Sequence, residues 1–449
     1  MPMRVIVEVE LPAARTVGVL GDRQRRSRAQ AIAEEAGSAA SFQLDDGFGA
    51  RPVRIRRFES GRDRIRRVGV DVLSGRFREV LRDRRETWIL RGEAEEPEKI
   101  GYHFRQHPNV VAVFADPRVY ALPGPCIGDG PLGTIEDVRE LLSVDQLTNE
   151  GLDGTGVEVA VVDAGLSLDQ LRQVGRDPAF RAEPGWSSGD RLPGGPCAEN
   201  HGSMCAWLSG VAAPQASLLD FGFLHDAHGE LSALLSDAIV CFGDLLDHVE
   251  ATGTPLVVTN SWGLLDTSLD AAPGTPERYC DNPDHLFNLA VADLDAAGAD
   301  VVFAAGNCGP AGPDNRCNFG GGPTIAGANS HPAALTVGGV DVQKRVASYS
   351  SAGPGCLTDQ KPDVTAFTHF QGFCEPGPDF GTSAAAPLVA GVVAAIRTQI
   401  SAEQASPALV RELIRQTAAP LDGTAFNYES GWGILQPTEL LGALRRVTG

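Results

Sequence analysis

Hydrophobic and polar positions follow two different patterns along the chain, and the change falls near residue 134. In the first part, apolar residues alternate with polar ones or recur at helical spacing, and an irregular arginine-rich stretch interrupts them. These patterns predict a strand at 3–10, a helix at 27–40, a strand at 86–93, a helix at 97–107 and a strand at 109–116. The first part is therefore predicted to be a small α+β domain.

The second part contains uninterrupted apolar runs, which are typical of strands buried on both faces of a sheet. Such runs predict strands at 156–163, 254–261, 299–307 and 334–341. Helical patterns accompany them at 134–151, 230–253 and 284–298. This alternation predicts an α/β fold with a mainly parallel central sheet and helices on both faces, in which active-site residues lie at the carboxyl ends of strands.

A segment rich in proline and glycine separates the two parts. It covers residues 120–133, shows little hydrophobic pattern and is interpreted as a linker. The predicted organisation is thus an N-terminal domain at 1–119, the linker at 120–133, and a larger domain at 134–449.

Charge is distributed unevenly between the two parts. The chain has 449 residues and a net charge of −20; residues 1–125 contain 23 Lys+Arg and 18 Asp+Glu, whereas residues 126–449 contain 15 and 40. The acidic total disfavours nucleic acid as a partner. Opposite charge would help the two parts associate, although the arginine-rich stretch at 54–67 can equally be a solvated surface.

The first residues lack the apolar core and small-residue cleavage site of a signal peptide, and no transmembrane segment is evident. Nine cysteines, an odd number spread over a long chain, do not indicate a dense disulfide framework. We therefore expect a cytoplasmic protein without a membrane partner, with non-classical export left open.

Candidate chemistry starts from the stretch GTSAAAPLVAGVVAAIR, which predicts a buried helix that begins at Ser383. A serine beside the unpaired N–H groups of a helix start suits an attacking oxygen. Capping of the helix by Thr382 or Ser383 is the alternative. Asp163 ends a predicted strand and His201 lies where a helix begins. A carboxylate, an imidazole and a hydroxyl in these positions are the components that activate a serine nucleophile.

Five motifs, in the order VAVVDAGL, NHGSM, NSWG, AAGN and GTSAAAP, resemble those of the subtilase (subtilisin-like) serine peptidases over roughly residues 135–440. The resemblance implies a subtilisin-like fold and a serine endopeptidase that acts through Asp163, His201 and Ser383, in the chain order of subtilisin. The chain departs from the family motifs at Ala164, Ser203 and Ala384. A subtilase-fold binding or regulatory protein with impaired catalysis is the alternative.

Further site residues follow from the same resemblance. It implies that Asn307 donates to the oxyanion, although an asparagine that stabilises a turn is the alternative. It also implies that Ser261, Trp262 and Gly263 offer backbone groups to an extended protein or peptide substrate.

Residues 105–119 resemble the last helix-to-strand passage of a subtilase prodomain. The resemblance implies that the N-terminal domain is an intramolecular inhibitor that is cut somewhere in 120–133. An uncleaved regulatory or partner-binding domain is the alternative.

No cofactor is expected to be required; calcium is possible by resemblance, but no site can be assigned. Cys308 and Cys317 flank a tight loop and could form a disulfide, bind a metal or remain free, and free thiols are favoured for a protein that is not secreted. Cys205 is interpreted as a small core residue. The natural substrate and the cleavage preference are not indicated by these residues.

Overall fold

A computed structural model describes residues 2–11, 21–38, 41–56, 84–95, 97–122, 130–187, 189, 191–227, 229–311, 313–374 and 377–448. Most of the arginine-rich stretch (57–67) and part of the predicted linker (123–129) lie outside the described residues.

The described residues form two compact units. The first contains the chain up to Arg118 together with Leu234–Gly243 and Ser268–Asp293. The second contains Val119–Ala233, Asp244–Thr267 and the chain from Leu294 onward. The boundary near residue 118 is close to the predicted domain limit at 119, but the first unit also takes two segments of the predicted second domain.

The first unit is built on an antiparallel sheet. Its elements are β1 (Met3–Val9), α1 (Asp22–Gly37), β2 (Phe42–Leu44), β3 (Arg51–Arg56), β4 (Arg84–Ala94), α2 (Pro97–Arg105) and β5 (Val110–Ala115). The strand order is β2-β4-β1-β5, and β3 also pairs with β4. Side chains of β1, β4, α1 and α2 form the hydrophobic core, with Trp88 and Phe104 as its largest members. The predicted α+β arrangement is present. Helix α1 begins earlier than predicted, because its first turns are polar and the hydrophobic pattern does not reveal them.

The remaining strands are β6 (Arg118–Ala121), β7 (Glu158–Asp163), β8 (Phe180–Ser187), β9 (Ser217–Gly222), β10 (His225–Ala227), β11 (Glu230–Leu234), β12 (Leu256–Asn260), β13 (Trp262–Gly263), β14 (Asp300–Ala304), β15 (Leu335–Val340) and β16 (Val364–Phe367). Seven of them form a sheet in the order β16-β15-β14-β12-β7-β9-β8, and every neighbouring pair is parallel. A smaller sheet has the order β10-β11-β6-β13.

The remaining helices are α3 (Ile135–Leu141), α4 (Val144–Asn149), α5 (Leu168–Gln173), α6 (His201–Ser209), α7 (Leu235–Thr252), α8 (Leu286–Ala296), α9 (Thr382–Arg397), α10 (Pro407–Thr417) and α11 (Pro437–Thr448). Every residue of α9 is buried, as its apolar composition predicts. This helix packs against β12, β14, β15 and β16 and against α6. The predicted α/β fold with a mainly parallel central sheet, accompanied by a small N-terminal α+β part, is confirmed.

Three further predicted elements differ from the structure. The helix at 134–151 is divided into α3 and α4, because Ser143 adopts a left-handed backbone conformation with φ of 51°. The helix at 230–253 starts as strand β11, since its first residues pair in the smaller sheet. The linker at 120–133 starts within strand β6, which pairs with β13. Among the described residues, no helix has both the length and the hydropathy that crossing a bilayer requires.

Candidate active site

Asp163 and His201 form a buried hydrogen-bonded pair. Asp163 is the last residue of β7, and His201 is the first residue of α6. The Nδ1 of His201 lies 2.7 Å from Oδ1 of Asp163. Because an ionised carboxylate only accepts hydrogen bonds, Nδ1 carries the hydrogen and Nε2 is free to act as a base. The backbone N–H of Ala164 donates to the same carboxylate oxygen at 2.7 Å and helps to orient it.

Close packing between the turn after β7 and the start of α6 holds this pair in place. Gly165 has a φ of 94°, and a Cβ at Gly202 would lie 2.3 Å from the Gly165 carbonyl oxygen. Ser203 accepts a hydrogen bond from the backbone N–H of Ser167 at 2.9 Å. The small residue Ala164 and the hydroxyl residue Ser203, which depart from the family motifs, are therefore compatible with this arrangement.

An ion pair that sequence reasoning missed supports the same turn. Asp220, on β9, accepts a hydrogen bond from the backbone N–H of Leu166 at 3.1 Å and pairs with Arg191. Burial raises the pKa of Asp220, although Arg191 and the backbone donors oppose this effect. No local motif marks Arg191 or Asp220, because Asp220 lies on β9 and Arg191 follows β8, and these two strands meet only in the folded sheet.

Asn307 and Ser383 converge on one carbonyl oxygen. The Oδ1 of Asn307 accepts hydrogen bonds from the backbone N–H and the hydroxyl of Thr382, both at 2.9 Å. This fixes the orientation of the amide, so that its Nδ2 donates to the carbonyl oxygen of Leu122. The hydroxyl of Ser383, the second residue of α9, donates to the same oxygen at 2.7 Å.

Residues 120–122 lie along the predicted substrate-binding segment as an added strand. Trp262 pairs antiparallel with Ala121, and Gly263 pairs with Tyr120. The backbone N–H of Leu122 donates to the Ser261 carbonyl at 3.1 Å. A piece of the chain itself thus adopts the geometry that Ser261, Trp262 and Gly263 were predicted to impose on a substrate.

The structure does not join Ser383 to His201 by a hydrogen bond. Within the described part of the chain, the buried Nε2 of His201 has no hydrogen-bond partner. The Ser383 hydroxyl donates to the Leu122 carbonyl instead. Asp163 and His201 of the predicted triad are therefore in contact. Ser383 contacts residues 120–122, which we call the seated strand, instead of His201.

Cys205 lies against both halves of the site. Its Sγ is 3.8 Å from Oδ2 of Asp163 and 3.7 Å from the Ser383 carbonyl oxygen. Burial, and then the charge of Asp163, raise the pKa of this thiol well above its usual value, so it stays protonated. With Asp163 and His201 it forms a group of three side chains close enough to hold a metal ion.

Cys308 and Cys317 form a disulfide with a Cα–Cα distance of 5.8 Å. The expectation of free thiols at these two positions is therefore wrong. That expectation rested on the assumed compartment, whereas a tight loop brings the two cysteines within bonding distance. Cys197 and Cys205 are free thiols.

Comparison with known proteins assigns the chain to a family. The sequence model of the subtilase family matches residues 154–433, which is more than half of the chain. The chain belongs to the subtilase family. The family comprises serine peptidases, and the family that the motifs suggested is confirmed.

This subtilase is similar to several characterised relatives. It is 27% identical over 303 residues to subtilisin DY of Bacillus licheniformis, a match that covers 65% of this chain and 93% of that protein. It is 26% identical over 334 residues to subtilisin-like protease SBT6.1 of Arabidopsis thaliana, covering 68% of this chain and 28% of that protein. It is 27% identical over 312 residues to subtilisin-like protease PopC of Myxococcus xanthus, covering 64% and 60%.

A solved structure supports the fold. Fervidolysin of Fervidobacterium pennivorans, described as a keratinolytic enzyme related to subtilisin, superimposes with a TM-score of 0.56 at 16% identity. The match covers 98% of this chain and 61% of that chain.

Proposed function

We propose that this subtilase is a serine endopeptidase that hydrolyses peptide bonds through an acyl-enzyme on Ser383. His201 takes the proton of the Ser383 hydroxyl, Asp163 holds the imidazole, and Asn307 donates to the oxyanion. One observation carries the proposal: the carbonyl of Leu122, the residue directly after strand β6, accepts hydrogen bonds from both Ser383 and Asn307.

Once a substrate replaces residues 120–122, the reaction requires a local movement of Ser383 from the described geometry. The Ser383 hydroxyl must turn from the carbonyl oxygen toward the Nε2 of His201, which is free to accept its proton. The Oγ–C bond then forms, the C–N bond breaks, and His201 passes the proton to the leaving amine. Water hydrolyses the resulting ester by the same proton transfers. Asn307 is already oriented for the oxyanion by its contacts with Thr382.

Labelling with a fluorophosphonate tests this assignment. We expect the probe to modify Ser383, and we expect Ser383→Ala and His201→Ala to abolish both labelling and peptide hydrolysis. Ser27→Ala, at an exposed helical serine, is the matched control and should behave as the unmodified chain. A folded chain that never labels, even with the seated strand displaced, would instead support the alternative of a binding or regulatory protein without catalysis.

We also propose that the N-terminal part is an intramolecular inhibitor. Residues 120–122 occupy the strand position that a substrate would need, and the Leu122 backbone contacts Ser261, Asn307 and Ser383. A peptide substrate cannot bind there at the same time. This supports an inhibited chain whose activity depends on removal of the strand.

Contacts within the first unit support the same proposal. Asp116 accepts hydrogen bonds from the backbone N–H and the hydroxyl of Ser236, both at 2.8 Å, at the start of α7. Arg91 pairs with Asp237 at 2.9 Å. The buried Nε2 of His285 lies 2.9 Å from the Ala115 carbonyl oxygen. Residues up to 118 are thus bonded to two segments from the catalytic part of the sequence, which would hold the inhibitor after any cut.

The residue after Leu122 is proline, which gives the peptide bond between Leu122 and Pro123 an unusual leaving group. The nitrogen of Pro123 belongs to a ring and carries no hydrogen. Cleavage after Leu122 would therefore have to release a secondary amine that is held in a bulky ring. We therefore propose that the strand is not released by self-cleavage at this bond. Any cut in the predicted segment 120–133 would have to occur farther along the chain.

We still expect a cytoplasmic location, no required cofactor, and no nucleic-acid or membrane partner. These stay predictions, and no calcium site is assigned. The Cys308–Cys317 disulfide is of a kind that persists in oxidising compartments. Thiol alkylation and mass spectrometry of the chain taken directly from its cells test the location: two protected cysteines would oppose a reducing cytosol.

A further inference from the structure

A short loop after Asn307 is fixed from both ends. The disulfide between Cys308 and Cys317 closes it, and the backbone N–H of Asp314 donates to the Asn307 carbonyl at 2.8 Å. The backbone N–H of Cys317 donates to the Asp314 carbonyl at 3.0 Å. The loop therefore holds its side chains in a defined position next to the proposed oxyanion donor.

Arg316 is presented by this loop in a fork-shaped ion pair. Its Nε lies 2.9 Å from Oδ1 of Asp314, and its Nη2 lies 2.6 Å from Oδ2. Burial alone would lower the pKa of Arg316, but the hydrogen bond and the charge of Asp314 outweigh burial and raise it. The guanidinium is thus permanently charged, and its plane is oriented by Asp314.

The outer edge of the same guanidinium contacts the seated strand at two residues. Its Nη2 donates to the Ala121 carbonyl oxygen at 3.3 Å. Its Cζ lies 5.4 Å from the centroid of the Tyr120 ring, within the range of a cation–π interaction. A purely structural ion pair between Arg316 and Asp314 would not need either contact.

We propose that Arg316 is a substrate-binding residue that determines specificity. It binds the carbonyl of the second residue before the scissile bond and the aromatic side chain of the third. The inference rests on the proposed function, because it takes residues 120–122 as occupying the place of a substrate. The substrate class is then a peptide with an aromatic residue, a small residue and an aliphatic residue immediately before the cut, as in Tyr120-Ala121-Leu122.

The burial of the seated strand agrees with this substrate class. Ala121 is fully buried, and Leu122 is also buried. Tyr120 keeps a small exposed fraction of 9%, so its ring fills a site near the surface beside Arg316. The three residues thus differ in the environment that each would offer to a substrate side chain.

Labelling kinetics in the full chain test the contact with Tyr120. If Arg316 holds the seated strand, Arg316→Ala should increase the rate of fluorophosphonate labelling at Ser383 by about 5- to 30-fold. Tyr120→Leu should also increase it, and the double variant should be faster than either by less than the product of the two effects. Arg316→Lys should fall between the wild type and Arg316→Ala, because an ammonium cannot reproduce the fork. Arg345→Ala, at an exposed arginine paired with Asp341, is the matched control.

A peptide comparison tests specificity. In a chain opened by Leu122→Asp, kcat/KM for a chromogenic Tyr-Ala-Leu peptide should exceed that for Ala-Ala-Leu by about 10-fold, and Arg316→Ala should reduce this ratio toward one. Equal ratios with and without Arg316, or additive effects of Arg316→Ala and Tyr120→Leu, would overturn the inference. If Arg316→Ala misfolds, the labelling rate of Tyr120→Leu and the kcat/KM ratio of the two peptides in Arg316→Lys still test the inference. Failure of the proposed function is distinguishable, since no variant, including Leu122→Asp, would then label.

Discussion

Truncation of Leu122 should release the proposed inhibition without altering the catalytic residues. Leu122 is 1% exposed and belongs to the continuous hydrophobic cluster of the second unit. Leu122→Ala keeps the backbone contacts with Ser261, Asn307 and Ser383 and removes only the buried part of the side chain. The loss of its transfer free energy and the cavity left behind would weaken the seated state by about 2–3 kcal/mol. Access to Ser383 should therefore increase by about 30- to 150-fold.

The assay is the rate constant of fluorophosphonate labelling at Ser383 in the full chain, measured by intact mass. Leu192→Ala is the matched control. Leu192 is 76% exposed, so the same truncation there should leave the labelling rate unchanged. Thermal melting of both variants establishes that the fold is kept. A Leu122→Ala chain that is folded but labels at the wild-type rate would refute the reasoning, since it would mean that the strand does not limit access.

Three further predictions concern Pro123, Asn307 and Asp116. Pro123→Ala should allow self-cleavage after Leu122, seen as a new N-terminus at residue 123, and Pro123→Ala combined with Ser383→Ala should remain intact; an uncut single variant would contradict the role of the proline. In a Leu122→Asp chain, Asn307→Ala should lower kcat by about 10²- to 10³-fold with little change in KM, and an unchanged kcat would remove Asn307 from the oxyanion site. Burial raises the pKa of Asp116 to about 6 and lowers that of His285 to about 4. Between pH 6.5 and 4, acidification should therefore stabilise the first unit through Asp116 and destabilise it through His285, each by about 3 kcal/mol, so that the two effects offset. From pH 6.5 to 4, the free energy of unfolding of Asp116→Asn, measured with denaturant, should fall by about 3 kcal/mol more than that of the wild type. Parallel pH profiles of the unfolding free energy in the two proteins would contradict this prediction.

The sequence predicts those parts of the site that local patterns mark. Asp163 ends a continuous apolar strand, His201 begins a helix, and Ser383 lies at the start of an entirely buried helix; each position is visible from hydrophobic spacing and a short motif. The parallel sheet is predictable for the same reason, because strands buried on both faces are apolar throughout.

Features that depend on distant contacts are not predictable in this way. Leu122 lies in a segment with the composition of a linker, and its position depends on pairing with β13 much later in the chain. Arg316 has no motif, and its role depends on the loop closed by Cys308 and Cys317. The sequence leaves that disulfide open as one alternative, and free thiols were favoured because the expectation relied on the cellular compartment rather than on loop geometry.

Hydrolysis of a fluorogenic Tyr-Ala-Leu peptide by the Leu122→Asp chain, with and without Ser383→Ala, tests the central claim most directly. The account predicts that the Leu122→Asp chain cleaves the peptide after leucine and that the folded Leu122→Asp/Ser383→Ala chain does not. Hydrolysis that persists without the Ser383 hydroxyl, or a folded Leu122→Asp chain that neither cleaves the peptide nor reacts with a fluorophosphonate, would contradict it.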